Sequence, residues 1–329
     1  MNMDSTITSL FRTVARSCGD LPALSTSAEE LTYRELNHRS NCLAGAVEEK
    51  GPRAGDPVAI LLDDETAHLT AVLGVLKTGC AYLSLDTTFP LSRLQLMLDN
   101  AGSRLLITNR EAYTPVAGLI KGSITPVFHE EVDFSEIHSD PEVPVSPDGI
   151  ANIFYTSGST GQPKGVIQNH QNVLHNVQDV TDSYGLTSSD RIALLISTSF
   201  AASQTPIFGA FLNGATLCPY SLQGDRLVNL ARWLETERIT FYLSVTSTFR
   251  KFCQTLTGGK QFPNLRLIVL GGEPVKRKDI EFYQRFFSDQ CKLCVRLAST
   301  ETFRIRTHVI DKETTIKNDR IPVGYPVRD

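Results

Sequence analysis

Short runs of consecutive apolar residues alternate along the chain with longer segments whose apolar residues recur at helical spacing. The apolar runs that have the length of buried strands lie at 57–62, 81–85, 104–108, 150–154, 192–196, 215–219, 239–244, 265–270 and 292–297. The helical segments lie at 65–77, 91–100, 206–212, 227–236, 247–255 and 278–287. Nearly continuous apolar strands that alternate with helices predict parallel sheets covered by helices, which is an α/β fold.

Composition and charge are those of an ordinary globular chain. Its 329 residues are 41% hydrophobic and 21% charged, with a net charge of −4. The basic residues do not concentrate, and Lys276-Arg277-Lys278 is expected to be the solvated start of a helix, so we expect no nucleic-acid partner. Because no apolar run approaches membrane-spanning length and the N-terminus lacks a signal-peptide core, we expect no membrane partner and a cytoplasmic location.

The cysteines and histidines do not predict a metal or disulfide framework. Seven cysteines are scattered and odd in number, and Cys291 and Cys294 form one C-x-x-C pair with no second pair at metal spacing. Since Cys294 lies in a predicted strand, we expect both thiols to be reduced and structural. A metal held by thiol or imidazole ligands is therefore not expected.

The segment with the strongest chemical pattern is the run from residue 155 to 167, which we call the signature run. Hydroxyls and glycines follow one another directly after a predicted strand, and a lysine comes three positions after the second glycine. Backbone amides and hydroxyls of such a loop can face phosphate oxygens, and a lysine adds a mobile positive charge. The residues predicted to bind phosphate are Ser157, Gly158, Ser159, Thr160, Gly161 and Lys164. The alternative is a solvated Ser/Gly loop. The spacing is not that of a P-loop.

Two further polar motifs follow predicted strands. Gly271-Gly272-Glu273 comes directly after 265–270, and Ser299-Thr300-Glu301 follows 292–297. Ligands of parallel α/β sheets bind outside the carboxyl ends of the strands, so these motifs and the signature run predict a single site. The alternatives are a strand-ending turn for the glycines and a solvated surface acid for Glu301.

The signature run closely resembles the phosphate-binding motif of the adenylate-forming (AMP-binding) superfamily, which contains acyl-CoA synthetases, luciferases and the adenylation domains of nonribosomal peptide synthetases. Leu31–Leu36 and Leu76–Asp86 resemble the first two core motifs of the peptide-synthetase branch, and we interpret both as structural. The resemblance covers essentially the whole chain. It implies the large N-terminal domain of that fold, with two mostly parallel sheets flanked by helices and subdomains at about 50–185 and at about 186–329 with 1–49.

The resemblance assigns roles to the motif residues. Lys164, Thr156 and Glu301 are the implied catalytic residues, and Glu301 is the implied ligand of Mg²⁺ beside ATP. The residues implied to contact adenine are Gly272, Glu273, Leu297, Ala298, Ser299 and Thr300. Leu297 and Ala298 stand where the family usually has an aromatic residue and glycine. Leucine keeps the apolar contact but loses ring stacking, worth about 0.5–1.5 kcal/mol.

The residues implied to line the substrate pocket are Phe200, Ala201, Ala202, Thr205, Ser244, Val269, Gly271, Arg296 and Arg304. Amino-acid-activating relatives have an aspartate at the position of Ala201, where it pairs with the α-ammonium group. Burying an ammonium group without a partner costs roughly several kcal/mol of binding free energy. We therefore expect a substrate other than an ordinary α-amino acid. Arg296 and Arg304 would suit an anionic or oxygen-rich acid. The alternative is that Arg304 and Arg306 share a solvated face of the strand 303–309.

The family resemblance also implies the reaction. A carboxylic acid would be activated by ATP as an acyl-adenylate and passed to the phosphopantetheine thiol of a carrier protein, with coenzyme A as the alternative acceptor. Relatives continue beyond the motif matched by Gly324-Tyr325-Pro326 into a barrel subdomain and a C-terminal lid, and the resemblance implies that both are missing here. We expect a fragment or natural truncation with little activity alone. An alternative of another class is a non-catalytic remnant or scaffold that binds a partner, such as a lid supplied in trans.

Overall fold

A computed structural model describes residues 5–120, 124–136, 138–141, 143–156, 163–222, 224, 226–259, 261–315 and 319–327. The helices, numbered in chain order, are α1 (Ile7–Ser17), α2 (Tyr33–Glu48), α3 (Glu65–Lys77), α4 (Leu91–Ala101), α5 (Arg110–Val116), α6 (His170–Tyr184), α7 (Gln204–Phe211), α8 (Arg226–Thr236), α9 (Thr246–Thr255) and α10 (Arg277–Phe286). Across these ranges, no helix has the length and apolarity that crossing a bilayer would require.

The strands, also in chain order, are β1 (Pro22–Ser25), β2 (Glu30–Thr32), β3 (Pro57–Leu61), β4 (Ala81–Ser84), β5 (Leu105–Thr108), β6 (Thr125–Phe128), β7 (Ile150–Thr156), β8 (Lys164–Asn169), β9 (Arg191–Leu194), β10 (Thr216–Pro219), β11 (Phe241–Val245), β12 (Leu267–Gly271), β13 (Lys292–Ser299), β14 (Phe303–Ile310) and β15 (Tyr325–Pro326).

The chain forms two compact units, and we describe each by itself. The first contains Met1–Gln178 and Ser197–Gln204, and the second contains Asp179–Ile196 and Thr205–Asp329. Within the first unit, Lys77 of α3 donates hydrogen bonds to Asn37 and Asn41 of α2, which hold these two helices together. The subdomain bounds at about 50–185 and at about 186–329 with 1–49 stay a prediction.

The first unit contains a six-stranded sheet with the order β6-β5-β3-β4-β7-β8. Neighbouring strands are parallel except for the edge strand β8, which pairs antiparallel with β7. Apolar side chains of β3, β4 and β5 pack with Leu94, Met97 and Leu98 of α4 in a buried core. The helix α3 is almost entirely buried, and Asp64 caps its first turn by accepting a hydrogen bond from the Ala67 amide at 2.7 Å.

Seven strands of the second unit are neighbours in one sheet, in the order β15-β14-β13-β12-β11-β9-β10. The strands from β10 to β13 are parallel, while β14 and β15 continue the sheet antiparallel. Phe249 and Phe252 of α9 and Tyr283 of α10 pack with the apolar side chains of β11, β12 and β13. This order aligns the carboxyl ends of β11, β12 and β13, where parallel sheets bind ligands.

The predicted α/β fold, with two mostly parallel sheets flanked by helices, is confirmed. The apolar pattern of the sequence did not predict α5, β6, β8 or α6. Cys291 and Cys294 are unpaired and buried, as predicted.

Candidate functional site

The signature run contains the end of β7 and the start of β8, which pair as antiparallel strands. Thr156 ends β7, Lys164 begins β8, and the two residues pair across the antiparallel ladder. Residues 157–162 lie outside the described residues, so the predicted phosphate ligands Ser157, Gly158, Ser159, Thr160 and Gly161 lie there too. Lys164 is exposed, and its side chain is available to a ligand.

Tyr155 fixes the end of β7 to the neighbouring helix. Its hydroxyl donates to the Asn100 side-chain oxygen at 2.7 Å and lies 3.2 Å from the Met97 carbonyl oxygen. Burial raises the pKa of this phenol to about 12, so it remains a donor at neutral pH. Opposite it, a Cβ on Gly165 would lie 3.4 Å from the Tyr155 ring. That distance is an ordinary van der Waals contact, and the tighter approach would be to Ile153 Cγ2 at 3.3 Å.

The segment of the first unit that contains Phe200, Ala201 and Ala202 is held at its start by Asp86. The carboxylate of Asp86 accepts hydrogen bonds from the Ser197 hydroxyl at 2.7 Å and the Thr88 hydroxyl at 2.6 Å. Burial opposes ionisation of Asp86, but these hydrogen bonds prevail and its pKa is lowered. Asp86 thus fixes the start of this segment, which is a structural role.

The same segment is held at its end by three buried amides. Gln204 donates to the side-chain oxygen of Gln168 at 2.5 Å and accepts a hydrogen bond from Asn152 at 3.3 Å. Between these two anchors a short 3₁₀ turn, Ala201–Ser203, follows Phe200. Phe200 is 49% exposed, whereas the Ala201 methyl group is buried and provides no charge. Sequence reasoning missed the amide anchors, because isolated Asn and Gln residues give no motif.

In the second unit, the predicted glycines lie at the carboxyl end of β12. Gly271 is the last residue of the strand, and Gly272 has a φ of +77°, which favours glycine. The Glu273 carboxylate accepts hydrogen bonds from the Ser247 amide at 2.7 Å and the Ser247 hydroxyl at 3.0 Å, at the N-terminus of α9. Its charge therefore stabilises that helix end.

The predicted magnesium motif forms the tight turn between β13 and β14. Ser299 ends β13, and its hydroxyl lies 2.9 Å from that of Thr302. Glu301 is exposed at this turn, and Leu297 is 43% exposed. In the ranges that the structure describes, no three His, Cys, Asp or Glu side chains cluster as a metal site. An exposed single carboxylate fits Mg²⁺ only if phosphate oxygens and water complete its coordination.

Arg296 of β13 lies directly against the end of β12. A Cβ on Gly271 would come within 2.8 Å of Arg296 Cγ, so the glycine makes room for the arginine side chain. Arg296 is buried, and its Nη1 donates to the Thr205 hydroxyl at 3.2 Å. Thr205, Gly271 and Arg296, three of the predicted pocket residues, are thus brought together. Ser244 and Val269 are buried in the neighbouring strands β11 and β12.

Arg304 makes a different set of contacts. Its guanidinium forms two hydrogen bonds with the Asp179 carboxylate of α6, one of them from Nε at 2.6 Å, and a further one with the Ser183 hydroxyl at 2.5 Å. Although burial acts against the charge, the bonds to Asp179 raise the pKa of Arg304. It is buried, in contrast to the solvated alternative, while Arg306 is exposed. Its positive charge is paired with the Asp179 carboxylate.

The comparison with protein families identifies one model over nearly the full length. The model described as AMP-binding enzyme matches residues 10–329. The chain therefore belongs to the AMP-binding enzyme family. It is 31% identical over 328 residues to tyrocidine synthase 3 of Brevibacillus parabrevis, and this match covers 98% of the chain but 5% of that protein. The chain thus spans a small part of the curated relatives that it matches.

Solved structures of peptide synthetases have the same fold. The nonribosomal peptide synthetase FmoA3 in its α-methyl-L-serine-AMP bound form has a TM-score of 0.90 and 26% identity, covering 98% of this chain and 36% of that one. The N-terminal subdomain of Klebsiella oxytoca NpsA, in complex with 3-hydroxybenzoyl-AMSN, has a TM-score of 0.83 and 24% identity, covering 98% of this chain and 80% of that one. The second similarity concerns the fold alone.

Proposed function

We propose that this chain binds ATP and a carboxylic acid and activates the acid as an acyl-adenylate. The observation that carries the proposal is the hairpin in which Thr156 and Lys164 face each other at the two ends of the hydroxyl- and glycine-rich run. Membership of the AMP-binding family over residues 10–329 supports it. The resulting enzyme class is an AMP-forming ligase.

In the proposed reaction, a carboxylate oxygen of the acid attacks the α-phosphorus of ATP. A P–O bond to the acid forms, the bond to the β-phosphate breaks, and pyrophosphate leaves with its electron pair. Ser157, Ser159, Thr160 and Lys164 would hold the β- and γ-phosphates, and Glu301 would hold Mg²⁺, which neutralises phosphate charge when bound. Thr156 would orient the start of the loop. Positioning and charge neutralisation supply the acceleration.

The adenosine part of ATP would lie along the ends of β12 and β13. Gly272, Ala298, Ser299 and Thr300 offer backbone and small side chains, while Leu297 offers an exposed apolar contact. Since the Glu273 carboxylate is hydrogen-bonded to the Ser247 amide at the start of α9, Glu273 would contact the purine through its backbone.

The proposed substrate is not an ordinary α-amino acid, because Ala201 has no carboxylate with which an α-ammonium group could pair. The proposed acceptor of the acyl group is the phosphopantetheine thiol of a carrier protein, with coenzyme A as the alternative. Structural similarity to FmoA3, a nonribosomal peptide synthetase, favours the carrier. A C-terminal lid on the same longer chain or supplied in trans is a proposed partner of the reaction.

Pyrophosphate–ATP exchange tests the activity. The chain, supplied with a C-terminal lid domain, is assayed with a panel of hydroxy, keto, aryl, dicarboxylic and α-amino acids. We expect exchange with at least one acid that is not an α-amino acid. Absence of exchange with every acid would contradict the proposal. A second assay then compares a carrier protein with free coenzyme A as acceptor of the activated acyl group.

Calorimetry with ATP and Mg²⁺ separates an enzyme from a non-catalytic scaffold. Lys164→Ala is expected to weaken ATP binding by about tenfold or more, because a charge-assisted contact to phosphate is lost. The fold should be unaffected, since Lys164 is exposed. Lys251→Ala, an exposed lysine of α9, is the matched control and should bind ATP like the wild type. Absence of ATP binding to the wild-type chain would favour the scaffold.

A further inference from the structure

Arg296 occupies an unusual position for a cation. It is 8% exposed, and its side chain lies across the end of β12 in space that Gly271 leaves by lacking a Cβ. The carboxyl ends of parallel strands are where α/β sheets bind ligands. The guanidinium is thus buried at a ligand-binding edge rather than at the opposite edge of the sheet.

Four other arginines of the second unit form ion pairs with acidic side chains. Arg191 pairs with Glu237, Arg250 with Asp279, Arg266 with Asp190 and Arg304 with Asp179. Three of these arginines are at least 23% exposed at the side chain, yet each has a carboxylate. Arg296 forms no ion pair within the part of the chain that the structure describes.

Among the described residues, no carboxylate forms an ion pair with Arg296. The Thr205 hydroxyl accepts one N–H, whereas a guanidinium carries five N–H donors. The neighbouring titratable groups are the Tyr184 phenol, the Cys294 thiol and the Arg304 guanidinium, which has the same charge. Burial is the main reason why the pKa of Arg296 is lowered. Leaving a guanidinium buried in this way costs free energy unless an anion arrives to pair with it.

We propose that Arg296 binds a second anionic group of the acyl substrate, and that this group is the distal carboxylate of a dicarboxylic acid. The inference rests on the proposed function, in which the first carboxylate reacts with ATP. A carboxylate matches the planar fork of a guanidinium and can accept two parallel hydrogen bonds. The acid would place its distal carboxylate against Arg296 and Thr205. Arg296 is then a specificity residue, while the guanidinium of Arg304 is already paired with Asp179.

The experiment compares each diacid with an otherwise equal molecule that lacks the second charge. Succinate, glutarate and adipate are titrated calorimetrically into the wild-type chain beside their monoamides. We expect one diacid to bind about 30-fold or more tightly than its monoamide, because an unpaired buried charge is left in the second case. Equal binding of all diacids and monoamides would overturn the inference.

Variants assign the preference to Arg296. Arg296→Gln is expected to bind the diacid and the monoamide equally, with unchanged ATP affinity. Arg306→Gln, on the exposed face of β14, is the matched control and should keep the full preference. A preference that persists in Arg296→Gln would overturn the inference, and so would a loss of ATP affinity, because the guanidinium would then bind a phosphate of ATP.

A second variant and a second assay distinguish the remaining outcomes. If Arg296→Gln does not fold, Arg296→Lys keeps the charge but loses the planar fork, and the preference should persist at a several-fold lower value. Pyrophosphate exchange is measured in parallel. Exchange with acids of one charge but equal binding of diacids and monoamides means that the inference alone fails. A clear diacid preference without any exchange means that the proposed function fails while the anion site stands.

Discussion

His68 shows how burial fixes the charge state of a single residue. It lies inside the first unit, with its Nε2 at 3.0 Å from the Ser84 hydroxyl. Burial lowers its pKa to about 4, and the pKa of the buried His170 is also lowered to about 4. Both imidazoles are therefore neutral at pH 7 in the folded chain.

Lowering the pH is expected to destabilise the fold. Between about pH 6.5 and pH 4 the unfolded chain binds more protons at these histidines than the folded chain, so the free energy of unfolding falls with pH. From pH 7 to pH 5, His68 alone should contribute a loss of about 2 kcal/mol. The measurement is urea unfolding at both pH values. His68→Gln should reduce this loss, and the exposed His175→Gln should not. An equal loss in all three proteins would contradict the prediction.

Gly271 is a second residue whose identity is fixed by its surroundings. A methyl group there would lie 2.8 Å from Arg296 Cγ and 3.2 Å from the Arg296 carbonyl oxygen, so the strand or the arginine must shift. We expect Gly271→Ala to lower the free energy of unfolding by about 1–3 kcal/mol. Chemical denaturation measures this change.

The control for Gly271 is a glycine with open space around it. A Cβ on Gly259 meets no atom within 4 Å, and Gly259→Ala should change the free energy of unfolding by about 0.5 kcal/mol or less. Equal stabilities of the two variants would show that Arg296 does not press on Gly271.

Sequence alone could not distinguish Arg296 from Arg304. Both were predicted to line the pocket, and one alternative left Arg304 in solvent. Their difference depends on residues far away along the chain, since Arg296 meets Thr205 and Arg304 meets Asp179. Such pairs give no local pattern. Neither assignment to the pocket is tested by this geometry, and both remain predictions.

At the scale of elements, the pairing of Arg304 with Asp179 connects β14 to α6. The Arg304 side chain is 1% exposed and that of Asp179 is 13% exposed. Arg304→Met should lower the free energy of unfolding by about 3–5 kcal/mol, because it leaves a largely buried carboxylate unpaired. Thermal and urea unfolding measure the loss.

A double-mutant cycle checks that the ion pair is the cause. Asp179→Leu combined with Arg304→Met should cost less than the sum of the two single changes, since no unpaired charge remains. Arg306→Met changes an exposed arginine of the same strand and should cost about 1 kcal/mol or less. Strict additivity in the cycle would argue against the pair as the stabilising contact.

Elements with strong local signals were predicted well. The helix α3 was predicted with its observed bounds, because Asp64 caps its start, twelve of its thirteen residues are buried and Gly79 follows its end. The strand β8 was missed, because Lys164, Gly165 and Gln168 interrupt its apolar residues. It exists through its pairing with β7, a non-local contact. The strand β6 was missed for a similar reason, since Pro126 breaks the apolar pattern.

At the scale of the whole molecule, the thiols report on the integrity of both units. All seven cysteines are free, and Cys18 is the one that is not buried. A thiol reagent should modify one group rapidly in the folded chain and seven after denaturation. Cys18→Ser should abolish the rapid phase without affecting the others. Rapid modification of several thiols in the native wild type would contradict the described burial.

The α/β class and the family could be predicted from sequence because both depend on local patterns, such as the strand at 150–154 and the signature run after it. The proposed single site could not be established in the same way. The signature run belongs to the first unit, and the motifs at Gly271 and Glu301 belong to the second. Binding of the acid, ATP and Mg²⁺ at one site is therefore a prediction, which the calorimetric titrations test.

The close approach of Gly271 to Arg296 has a consequence for redesign. Directed-evolution libraries usually vary positions independently, but here a larger residue at 271 and the arginine at 296 would compete for the same space. Members that enlarge residue 271 and keep the arginine would be destabilised by this overpacking. Randomising the two codons jointly, with small residues at 296 wherever 271 is enlarged, should yield more folded clones.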